Sequence, residues 1–142
     1  YGLDQLNFYL RLDLTTGIKP GKDLPPQLNL FWFYPDKIMH NSPLPLADVP
    51  DVAPVNYMFQ HHLQINLLTG SIQFQQAGEY SQWHRCQSHA QIALNNSFQV
   101  AVPWTDLRQP PESPLRLVLV FSDEGHFRNY LPENGLIAIE LA

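Results

Sequence analysis

The sequence predicts an all-β chain folded as one antiparallel β-sandwich, jelly-roll or immunoglobulin-like in type, with about nine strands. Three observations carry this. Apolar residues recur with period two along almost the whole chain, so side chains alternate between a core face and an outer face. Turn-forming residues punctuate that pattern every 8–12 residues or so, roughly the spacing of short sandwich strands. Only one short stretch reads as helical. The 142 residues fit a single domain spanning 1–142, without internal repeats or low-complexity tracts.

The first strand is "LNFYLRLDL", where Leu6, Phe8, Leu10, Leu12 and Leu14 alternate with Asn7, Tyr9, Arg11 and Asp13. Thr15 to Pro26 holds two glycines and three prolines and reads as a turn-rich connection. "QLNLFWFY", Gln27 to Tyr34, is apolar on both faces, as a central strand covered on both sides requires. Pro35 to Pro54 carries five prolines, which deny both helix and interior strand. We expect this segment to fold back over the sheet and bury at least two of Met39, Leu44, Leu46 and Val49, while Asp36, Asp48 and Asp51 stay outside.

Alternation resumes at "NYMFQHHLQINL", with Tyr57, Phe59, His61, Leu63, Ile65 and Leu67 on one side and Met58, Gln60, His62, Gln64 and Asn66 on the other. Leu68 to Ser71 is a hairpin turn in which Gly70 can take positive φ. The chain returns with Ile72 and Phe74 inward. Strands follow at Tyr80–Gln87, Ala90–Asn95 and Ser97–Val102, the last two joined by a turn at Asn95–Ser97. Pro103 to Leu107 is the one helical turn. Leu115–Phe121 is a buried strand, Asp123–Gly125 a turn, His126–Pro132 an edge segment, and Gly135–Leu141 the closing strand.

Charged residues make up only 15% of the chain, and its polarity comes from Gln, Asn, Ser, Thr and His. Such a neutral hydrogen-bonding surface suits sugars or burial against a neighbouring domain. The formal charge of −5, with no Lys/Arg cluster, sets nucleic acid aside. Cys86 is the only cysteine, which rules out an intramolecular disulfide and fits a reducing, cytoplasmic compartment. No apolar run approaches the ~18 residues of a membrane span, no signal-peptide pattern opens at Tyr1, and no membrane partner or cofactor is expected.

Two stretches go beyond a generic sandwich. "YGLDQLNFYLRLDL" at the start and "FQVAVPWTDLRQPPESPLRLVLVFSDEGHFRNYLPENGLIAIEL" at the end resemble the two ends of β-sandwich domains appended to bacterial polysaccharide hydrolases. In the closing stretch a strand delivers a Pro-Trp turn, followed by a buried strand, a polar Asp/Gly hairpin, then Pro, Gly and a final apolar strand. The chain resembles the C-terminal domain of family 57 glycoside hydrolases (α-amylase and α-mannosidase-like enzymes). More broadly it is similar to glucodextranase C-terminal domains, DOMON-like domains and family 9 carbohydrate-binding modules. Many relatives place a carboxylate before the turn proline, whereas this chain has Gln99-Val100-Ala101-Val102-Pro103.

The resemblance implies an excised C-terminal domain whose first strand opens just after Tyr1, with the catalytic carboxylates in an absent N-terminal barrel. Its implied partners are that catalytic domain and α-glucan. Family 9 relatives often carry structural calcium, to which Asp13, Asp36 or Asp123 would contribute here, though no calcium-loop pattern is visible.

Retaining glycoside hydrolysis needs two carboxyls about 5–5.5 Å apart. Asp13, Asp36, Glu79, Asp106, Asp123, Glu124 and Glu133 fall mostly at turns or strand ends, where capping and solvation explain them, so no catalytic residue is expected in this chain. His61 and His62 are adjacent on a strand and point to opposite faces. His84, Cys86 and His89 form a conceivable soft-metal set without the usual spacing or a fourth ligand, and ordinary polar roles are preferred.

For sugar stacking the candidate is Trp83, with Tyr80, Gln82 and His84 beside it. The preferred alternative is that Trp83 packs in the core or against a neighbouring domain. Trp32 is expected in the core, and Trp104 over the sheet end. Three functions stay open: an accessory domain packed on a catalytic barrel, an independent α-glucan-binding module, and a haem-binding DOMON-like domain with Met58 or His61 as axial ligand.

Overall fold

The computed structural model describes residues 2–3, 7–13, 21–94, 97–103, 106, 114–131 and 136–139 of the chain. It is an all-β sandwich of two antiparallel sheets. The strands are β1 (Gly2–Leu3), β2 (Asn7–Asp13), β3 (Gln27–Phe33), β4 (His61–Asn66), β5 (Ile72–Ala77), β6 (Trp83–Cys86), β7 (Gln91–Leu94), β8 (Ser97–Pro103), β9 (Leu115–Asp123), β10 (His126–Leu131) and β11 (Ile137–Ile139). The smaller sheet runs β1-β2-β8-β7. The larger runs β10-β9-β3-β4-β5-β6, with β11 also paired to β9.

Alternation explains the packing between them. Phe8 and Leu10 of β2 and Phe98, Val100 and Val102 of β8 point from the smaller sheet into the core. They meet Leu28, Leu30 and Trp32 of β3, Leu63 and Ile65 of β4, Phe74 of β5, and Leu115, Leu117, Leu119 and Phe121 of β9. Each such side chain contributes about 1.5–3 kcal/mol by leaving water. Trp32 lies in this core as expected. β3 is central, with five consecutive buried residues, because its outer face is covered as well.

That cover is the proline-rich strap, residues 34–60. It folds back. Of the four apolar side chains, only Leu44 is buried outright, one fewer than expected; Met39, Leu46 and Val49 are half-buried against the two apolar clusters, because the strap lies on the sheet with its other side facing solvent. Ser42 and Phe59 exchange backbone hydrogen bonds of 2.8 Å in each direction. Pro43 O accepts the indole N–H of Trp83 at 2.8 Å, near one edge of the sheet. Ala47 then pairs with the opposite edge strand, donating to Gly125 O at 2.9 Å and accepting from Phe127 N at 2.8 Å. Beside it His126 Nδ1 donates to Asp48 Oδ2 at 2.8 Å. The strap thus satisfies part of the β10 edge that an uncovered sheet would leave unpaired.

Two expected boundaries shift. The strand expected from Tyr80 begins only at Trp83, because β5 and β6 are consecutive and antiparallel and residues 78–82 must reverse the chain between them. Tyr80 and Ser81 take φ of 58° and 55° in a single 3-10 turn there. The alternating stretch at Asn56–Leu67 enters the sheet only at His61, since Phe59 pairs with Ser42 of the strap. The Leu68–Ser71 and Asp123–Gly125 turns form as expected, with Gly70 at φ 78° and Gly125 at φ 80°. Most of the Asn95–Ser97 turn and of the Pro103–Leu107 helical turn lies outside the described residues; Pro103, expected to open the latter, is instead the last residue of β8, in register with Asn7, and Asp106 is helical.

Candidate functional site

The outer face of the larger sheet divides into two halves, and strand register shows where. Val118, Phe31 and Val120 lie under the strap with Leu44, Val55 and Phe59. Further along the same strands the outward positions turn polar. Gln27 is in register with Ser122 on one side and Asn66 on the other. In the next row Asn29 pairs with Gln64, and Gln64 with Gln73. The row after runs from Phe31 through His62 and Gln75 to Arg85. Six side-chain amides therefore occupy one block across β3, β4 and β5, and none of the six is exposed. Their neighbours hold them in place.

Hydrogen bonds fix the block's floor. Asn29, fully buried, donates through Nδ2 to Val120 O at 3.0 Å and to Ser122 Oγ at 2.9 Å. Its Oδ1 accepts from Gln64 Nε2 at 3.1 Å and lies 2.8 Å from His62 Nε2. Gln75 Oε1 lies 3.0 Å from the other ring nitrogen of His62, Nδ1. The His62 ring stacks on Phe31, with centroids 4.1 Å apart and planes 8° from parallel, while Trp83 meets it edge-on at 5.8 Å. Burial pushes His62 down to about 4, so the imidazole is neutral at physiological pH. At the rim Arg85 Nη2 donates to Gln73 Oε1 at 3.0 Å. A shallow depression of about 150 Å3 opens here, lined by Gln27, Gln64, Asn66, Ser71, Ile72 and Gln73.

The residues singled out for sugar binding are not gathered on one face. Trp83 is half-buried, its ring edge-on to Phe31 at 6.0 Å and its N–H engaged by Pro43, so it packs in the outer cluster beneath the strap. Tyr80 stands out on the 3-10 turn, 89% exposed, and Gln82 is exposed beside it. His84 follows Trp83 on β6 and so points to the opposite face. Its ring lies against the Gly78 backbone, where an added Cβ would come within 2.2 Å of it. Trp104 lies outside the described residues.

The remaining candidates have local roles. His61 and His62 do face opposite ways: His61 is buried in the core among the rings of Trp32, Tyr34 and Phe74 at 5.5–6.1 Å. Met58 is at the surface. Cys86 packs against the core edge and His89 donates to Asp106. Among the described residues no group of three or more His, Cys, Asp or Glu side chains is placed to share a metal ion, Asp36 and Asp123 included; the Asp13 side chain lies outside them. Buried Asp106 accepts from Ser88 Oγ at 2.9 Å, His89 N at 2.7 Å and His89 Nδ1 at 3.0 Å, the capping role expected of a turn carboxylate.

Sequence reading missed the amide block. Its signal was present: Gln27/Asn29, Gln64/Asn66 and Gln73/Gln75 put amides at outward positions two apart on three successive strands. No protein-family model matches the chain, and no curated protein or solved structure matches it either.

Proposed function

We propose that this β-sandwich is a non-catalytic accessory domain of an α-glucan-type glycoside hydrolase related to family 57, packed on the catalytic barrel through the outward surface of its strap. One observation carries the reading. The strap is tied down at both sheet edges, yet it and its return to β4 present Ile38, Val52, Tyr57 and Met58 to solvent, four of the eight large exposed hydrophobic side chains among the described residues. Apolar groups held outward on a rigid segment are what a neighbouring surface can cover without a further ordering cost. The terminal resemblance supplies the kind of neighbour.

The test is co-expression with the catalytic barrel that the reading requires, followed by size-exclusion chromatography with light scattering. The two are expected to co-elute as a one-to-one complex, and Ile38→Ser combined with Met58→Ser to separate them while the sandwich stays folded. Separate elution of the well-folded wild-type partners would overturn the reading.

A further inference from the structure

The amide block has a hydrogen-bond polarity that can be worked out atom by atom. Val120 O can only accept, so the Asn29 group facing it is Nδ2 and the opposite atom is Oδ1. Oδ1 can only accept, so both Gln64 Nε2 and His62 Nε2 donate to it. His62 is neutral, which leaves Nδ1 with a lone pair and no proton. Gln75 Oε1 as placed, 3.0 Å from Nδ1, would set two lone pairs face to face; turning the amide over presents its NH2 group to the ring and leaves Oε1 as the acceptor it offers elsewhere. Arg85 can only donate, so Gln73 Oε1 is used and Gln73 Nε2 remains as a donor.

The block thus offers acceptors from Gln64 and Gln75 and donors from Gln73 and the rest of the Arg85 guanidinium. Gln64 and Gln73 are direct cross-strand partners, and so are Gln75 and Arg85. Each pair sets one acceptor beside one donor at a cross-strand spacing of about 5 Å. Asp, Glu and Lys are absent from these outward positions. From Gln64 on β4 to Arg85 on β6 these groups span two inter-strand gaps, about 10 Å.

We propose that this face binds a neutral oligosaccharide lying across β4 to β6, in contact with Gln64, Gln73, Gln75 and Arg85. Adjacent hydroxyls of a sugar each donate and accept, so they match paired acceptor and donor groups, whereas an anion or a cation would find half of the set opposed to it. The four side chains are pre-oriented by the Asn29–His62 floor and by each other, which limits the entropy lost on binding. The site lies beyond the strap, is bordered by Trp83 through its edge-on contact with His62, excludes Tyr80, and does not depend on docking to a barrel.

The test is a titration of the isotope-labelled chain with maltohexaose, cellohexaose and, as an anionic control, a galacturonate hexamer, following the side-chain NH2 resonances of Gln64, Gln73 and Gln75. At least one neutral hexasaccharide is expected to shift all three at millimolar concentration, and the anionic one to shift none. Gln64→Ala with Gln73→Ala should weaken that binding about tenfold or more, two hydrogen bonds being lost. An unchanged thermal melt checks that the variant is folded, and Gln73→Ala alone serves if the pair is not. Unmoved NH2 resonances with both neutral sugars, shifts confined to the strap, or full affinity in a folded variant would each overturn the proposal. Barrel docking is read separately by co-elution, so either idea can fail alone.

Discussion

Replacing His62 by leucine should remove a distinct part of the chain's sensitivity to acid. In the folded state the imidazole takes a proton only near pH 4, because charging it beneath the sheet face forfeits hydration that Asn29 and Gln75 cannot replace. The unfolded chain takes the same proton near pH 6.5. Between those values the unfolded state binds more protons than the folded one, so stability is complete above the unfolded value and drains as pH falls towards 4. The linkage relation puts the loss at about 2 kcal/mol by pH 5 and about 3 kcal/mol by pH 4.

The leucine variant starts lower at neutral pH, by about 1–3 kcal/mol, since Asn29 and Gln75 each lose a partner. It should then fall less steeply. Urea unfolding followed by tryptophan fluorescence, at pH 7 and about pH 5, gives the comparison, and wild type is expected to lose about 2 kcal/mol more than the variant over that interval. Equal losses in the two proteins would refute a buried neutral His62, and with it the hydrogen-bond polarity deduced for the amide block.

Asp106→Ala removes the acceptor of three hydrogen bonds from Ser88 and His89, and urea unfolding should report a cost of about 2–4 kcal/mol; a cost below about 0.5 kcal/mol would deny the capping role. Gly78→Ala should cost about 1–3 kcal/mol through collision with the His84 ring, although the φ of −123° there is ordinary for any residue. Thermal melts should show most of that loss recovered when His84→Ala is added, and simple additivity would argue against the contact. Leu44→Ala should cost about 2–4 kcal/mol and make the strap cleavable by trypsin at Lys37 before the sandwich unfolds. Cleavage there no faster than in wild type would mean that the strap is held without this side chain.

The sandwich was legible because most strands carry one strong local signal, the period-two alternation that core burial imposes. Gln27–Phe33 could be read as central from its two apolar faces alone. The strap's course was legible from its prolines and the apolar residues between them. What the sequence concealed depends on register. Tyr80 and Ser81 alternate as a strand would, and only the need to reverse between β5 and β6 forces them into left-handed backbone. Likewise Gln64 and Gln73 each look like ordinary outward residues of a solvated face, and Asn29 like an isolated polar residue in a covered strand. Their joint meaning appears once pairing sets them side by side and burial of Asn29 and His62 fixes their polarity.

The most direct test is hydrogen-exchange mass spectrometry of the sandwich alone and mixed with the catalytic barrel proposed as its neighbour. Exchange is expected to slow in the mixture over residues 37–58 of the strap and its return, with residues 62–75 of the amide block unchanged and still accessible to an oligosaccharide. Protection falling on 62–75 while 37–58 stays as in the free domain would contradict the proposed division of the outer face into a docking half and a glycan-binding half.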